Sequence, residues 1–100
     1  MKNLAGMAFD YMWMIMFADE DVLDPDFSVS KLEELPLMLA QYEPSEKAAL
    51  AAVALEAKNR LLAEPDEYGY TPRDLVTDEQ RQFLEAVIAQ EIYSDEWWTM

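Results

Sequence analysis

Carboxylates are the residues best placed to do chemistry in this chain, and they come in two dense groups. Asp19, Glu20, Asp21, Asp24 and Asp26 crowd around Pro25, while Asp95 and Glu96 stand directly before Trp97 and Trp98. Closely spaced acids serve three ends: holding a hard cation, general acid–base work, or electrostatic capture of a basic partner. A calcium loop fails on spacing. With Asp19 in first place, Asp24 falls where an EF-hand needs glycine and Ser30 where it needs a bidentate Glu.

Acid–base work would need a carboxyl held in apolar surroundings. In helical projection Asp10 lies between Met14 and Phe17, and Glu91 lies among Leu84, Val87 and Ile88. Burial there would keep either acid neutral and able to donate a proton. Lys58, Arg60 or Arg81 could equally pair with either, and Glu91 near a helix end could reach water. The chain has no histidine and no cysteine, which removes the commonest general base, thiol nucleophiles and zinc-thiolate sites. Hydroxyls are few (Ser28, Ser30, Ser45, Ser94, Thr71, Thr77, Thr99), and several sit where helix caps belong. There is no G-x-S-x-G elbow, and two glycines cannot build a phosphate loop. The expectation is a non-enzyme without metal or cofactor.

Capture of a basic partner remains, and the charge arithmetic favours it. Seven Lys plus Arg against 21 Asp plus Glu give a net charge of −14 over 100 residues. Spread over a folded surface of roughly 5,800 Å², that is about one uncompensated charge per 400 Å². Such a field repels phosphate backbones and anionic lipid, so direct nucleic-acid or membrane binding is not expected. Trp97 and Trp98 have two uses open to them. They can fold back onto the first or the central helix, or they can anchor an interface.

These residues must be positioned by helices, since no alternating strand pattern of useful length occurs and 52% of the chain is hydrophobic. Leu4 to Ala18 is apolar around its whole circumference apart from Asp10, too short to span a bilayer. Lys2 precedes it as in a secretory signal, but Asp10 within the run and Met16-Phe17-Ala18 at its exit do not fit a cleavage site, and the chain is read as cytoplasmic. As a helix this run must be enclosed by the domain or by a partner, with Trp13 buried. Its methionines, Met7, Met12, Met14 and Met16, suit core filling or an adaptable contact surface. The acidic run Asp19–Asp26 reads as an exposed loop. Ser30-x-x-Glu33 has capping-box spacing and predicts the next helix start, with Pro36 kinking that helix or splitting it into two short pieces.

Ser45 is the expected cap of a central helix to Glu64. It carries two apolar stripes, Leu50–Ala54–Ala57–Leu61 and Ala48–Ala51–Leu55–Leu62, hence two neighbours, with Glu56 and Arg60 at ion-pair spacing. Pro65 to Tyr70 breaks the chain, Thr71-Pro72 opens a short piece to Val76, and Thr77-x-x-Gln80 caps a last helix to about Tyr93. The Glu-Pro-x-Glu echo at Glu43 and Glu64 is not a repeat.

The predicted fold is all-α: one acidic domain over residues 1–100, a small helical bundle of about four main segments with interrupted or short pieces. The predicted function is a small acidic protein that binds and inhibits a basic protein partner, as an immunity protein against a toxin or a nucleic-acid mimic does. Partner-binding residues are Asp19, Glu20, Asp21, Asp24, Asp26, Asp95, Glu96, Trp97 and Trp98. The alternative is a non-catalytic helical adaptor or structural subunit, a homodimer in one form, acting through hydrophobic helix contacts.

Overall fold

The computed structural model describes residues 1–69 and 75–98, and among these the secondary structure is helical, with no strand. Five α-helices occur in order: α1 (Lys2–Phe17), α2 (Pro25–Leu39), α3 (Pro44–Leu61), α4 (Asp78–Ile88) and the short α5 (Asp95–Trp98), with a 3-10 turn at Glu91–Tyr93. None of the described helices is long and apolar enough to cross a membrane.

The start of α2 corrects one expectation. Asp24 Oδ1 accepts from Asp26 N at 2.8 Å and Phe27 N at 3.3 Å, and Pro25 takes the first helical position, where its missing N–H costs nothing. Asp–Pro is therefore the helix start. Asp26 joins the helix, and Ser30 and Glu33 lie inside it. The connection between α1 and α2 is therefore only Ala18 to Asp24, closed by Val22 N and Leu23 N donating to Asp19 O. Nor does Pro36 split α2, which runs on to Leu39; burial of Leu35 and Leu39 holds the helix across the lost donor.

α3 starts early as well, by two residues. Pro44 is its first residue, and Glu43 rather than Ser45 forms a reciprocal box with Glu46, whose Oε1 accepts from Glu43 N at 2.8 Å. The Thr77–Gln80 box of α4 is present as expected, with Gln80 N on Thr77 Oγ1 at 3.1 Å and Thr77 N on Gln80 Oε1 at 2.9 Å. That helix stops at Ile88, because Gln90 adopts left-handed backbone (φ 61°) and turns the chain so that Ile92 re-enters the core. In the break after α3, Gly69 takes φ 78°, where no side chain would sit easily. The short piece expected from Thr71 lies mostly outside the described residues.

α3 is central, packing against both α1 and α4. Its buried stripe is Leu50, Ala54 and Ala57, and the alanines let both neighbours approach closely. The second expected stripe is not a contact face, since Ala48 and Leu55 are exposed. Two neighbours share one stripe instead. Lys58 of α3 pairs with Glu85 of α4, and Glu56 pairs with Lys2 at 3.2 Å rather than with Arg60.

Phe83 of α4 is fully enclosed at the centre of an aromatic cluster. Phe9, Trp13 and Phe17, one turn apart along α1, lie 6.1, 6.3 and 5.8 Å from it, and Trp97 lies at 6.0 Å. Trp13 itself is half-buried. The domain by itself does not enclose α1 all round: Ala5, Phe9, Met12 and Ile15 face the core, while Leu4, Met7 and Met14 face outward, where only a partner could cover them.

Candidate partner-binding surface

Every buried side chain among the described residues is apolar, so the acids are arranged on the outside. Asp10 and Glu91 are both exposed, which removes the buried-carboxyl reading for each. The described acids also form no group of three placed to hold a metal ion.

The two tryptophans fold back onto the core, Trp97 against α4 and Trp98 against the 3-10 turn. Trp98 Nε1 donates to Ile92 O at 2.7 Å, Trp97 and Trp98 meet edge to face at 4.8 Å, and Trp97 reaches Phe83. Each ring remains half-exposed. Together they form one wall of a groove of about 530 Å³, whose other walls are Met16 and Phe17 of α1, Val29, Leu32, Glu33 and Pro36 of α2, and Glu79 and Gln82 of α4. The groove floor is apolar. Its charged lining is Glu33 and Glu79, with no lysine or arginine among the described residues.

Helix geometry explains how α2 contributes. Asp26, Val29, Glu33 and Pro36 recur at three- and four-residue steps and so share one face, acid alternating with apolar. The chain leaves the groove at Phe17 and returns to it at Val29. All five loop acids, Asp19, Glu20, Asp21, Asp24 and Asp26, lie on that connection and are exposed. Asp95 and Glu96 are exposed on α5 immediately before the tryptophans, where Glu96 N donates to Ser94 Oγ at 3.2 Å. Neither acidic group lines the groove; each flanks a segment that does. Asp24 has a structural duty besides, as the α2 cap.

Sequence reasoning named Trp97 and Trp98 but missed the residues of the groove's other walls. Val29, Leu32 and Pro36 are a helical stripe only once α2 is known to begin at Pro25. Glu79 belongs to the first turn of α4, where an acid already has a reason to stand against the helix dipole.

On the α2–α3 side a phenol pair titrates abnormally. The Tyr93 hydroxyl is shielded from water without a hydrogen-bond partner, with the Tyr42 ring 6.0 Å away and Lys47 Nζ 4.6 Å over the Tyr93 ring. Burial pushes the Tyr93 hydroxyl up to about 12, with Tyr42 and Glu46 adding to the shift. Tyr42 is raised too, by burial and then Glu46. Both phenols therefore stay neutral in the physiological range, as packing groups. No protein family, curated protein or solved structure matches this chain.

Proposed function

We propose that this protein binds a basic protein partner by receiving a cationic amphipathic segment in the groove between α1, α2, α4 and α5, and blocks that partner by occupying its positive surface. The action is by binding alone, in the manner of an immunity protein or a nucleic-acid mimic working in the cytoplasm. What carries the reading is the coincidence in one groove of an apolar floor walled by Trp97 and Trp98 with Glu33 and Glu79 as its charged groups. Tryptophan supplies contact area that dominates interface energetics, and half-exposed rings on a fixed scaffold lose little entropy on binding. Charge has a separate duty. A body at −14 draws a basic partner in, and the acids of residues 19–26 lie exposed on the connection between the groove residues Phe17 and Val29.

Two synthetic peptides of identical composition test this reading. One segregates leucine and lysine onto opposite helix faces, and the other scrambles them. Calorimetric titration is expected to show the segregated peptide binding at least about tenfold tighter, or about 1.4 kcal/mol. Equal affinities would reduce the interaction to unspecific charge attraction and overturn the groove as the site.

A further inference from the structure

A second apolar surface lies on α1, away from the groove. Leu4, Met7, Tyr11 and Met14 recur at intervals of three and four residues, the spacing by which two helices interlock along a seam. Leu4 and Met7 are 70% and 71% exposed and Met14 is 43% exposed, so the fold leaves this line largely uncovered. Met38 of α2 continues it across a shallow trough of about 470 Å³.

Charge distinguishes this face from the rest of the molecule. At its α2 edge stand Lys31 and Glu34, joined at 3.4 Å and cancelling one another, and Asp10 flanks the opposite edge. On a body of −14 this is a nearly neutral strip. A basic partner gains little there, whereas two like-charged copies can approach along it with least repulsion.

We propose that this seam receives a second copy of the chain, α1 against α1 across a two-fold axis. A contact of that symmetry uses the same patch twice, and the patch must be self-complementary. An uncharged row of leucine, methionine and tyrosine meets that condition without needing a matched charge pattern, and methionine adapts to its own image. The seam from Leu4 to Met14 runs about 15 Å along α1. A standard interface needs roughly 800 Å² per partner, so the contact must take in the α2 flank at Met38 as well.

Salt separates this contact from the groove. Attraction of a basic segment weakens as the Debye length falls from about 30 Å at 0.01 M to about 8 Å at 0.15 M, whereas repulsion between two acidic copies is relieved. Sedimentation equilibrium of the full chain at those two ionic strengths should give a dimer whose fraction rises with salt. Met7→Lys combined with Met14→Lys should give a monomer at both, with the helical circular dichroism of the parent. These substitutions reduce net negative charge, so repulsion alone would predict more dimer. Leu4→Lys, at a more peripheral position, repeats the test if the double variant unfolds. A parent that is monomeric at both salts, or a dimer that survives these substitutions, would overturn the proposal. Neither result would touch the peptide titration that tests the groove.

Discussion

Tyr93 shows how one side chain can join the core while leaving a polar atom unsatisfied. Its ring packs between Tyr42 and Lys47, yet its hydroxyl has no partner. Removing an unpaired buried hydroxyl costs little and can stabilise, so Tyr93→Phe should fold at least as stably as the parent. The pH response comes from linkage. The unfolded phenol releases its proton near 10 and the folded one near 12, so above pH 10 the unfolded state binds fewer protons. The Tyr93 contribution is thus fully present below pH 10 and is lost as pH rises toward 12. Urea midpoints across that window should fall more steeply for the parent than for Tyr93→Phe. Parallel falls would show that the hydroxyl is not protected in the folded state.

Helix beginnings decide most of what is legible in the sequence and what is not. Asp24→Ala should destabilise the protein by about 1 kcal/mol in chemical denaturation, with Asp24→Asn nearly neutral because an amide oxygen can still cap. Equal losses would mean the carboxylate acts otherwise than as the α2 cap. The Thr77 box is legible because its spacing stands alone. At α2, the same carboxylates that cap the helix also look like a solvated loop, and Ser30-x-x-Glu33 offers a competing start that the chain does not use. At α3, Pro44 at the first position makes Glu43 the cap, two residues before the more usual Ser45. The end of α4 carries no readable signal, since Gln90 takes a left-handed conformation normally marked by glycine. α1 is legible as a helix, but all-round apolarity does not tell which face stays outside. The acids and tryptophans are legible as a candidate site. The groove between them is not, because its walls come from four helices whose registers depend on those starts.

Taken whole, the molecule separates charge from apolar contact. Acids cover the exterior, one groove combines aromatic area with carboxylates, and one seam on α1 is nearly free of charge. On the proposed function, the field should serve encounter and the groove retention. Stopped-flow kinetics with the segregated leucine–lysine helix separate the two. Replacing Asp19, Glu20 and Asp21 by their amides, with the Asp24 cap kept, should lower the association rate and flatten its salt dependence while dissociation changes little. Val29→Glu, at a groove position 54% exposed, is the sharper variant because it adds a negative charge while spoiling the apolar floor. If the groove retains the partner, Val29→Glu dissociates faster than the parent despite the greater attraction. If binding is charge alone, Val29→Glu holds the peptide longer, and that result would contradict the groove as the site of capture.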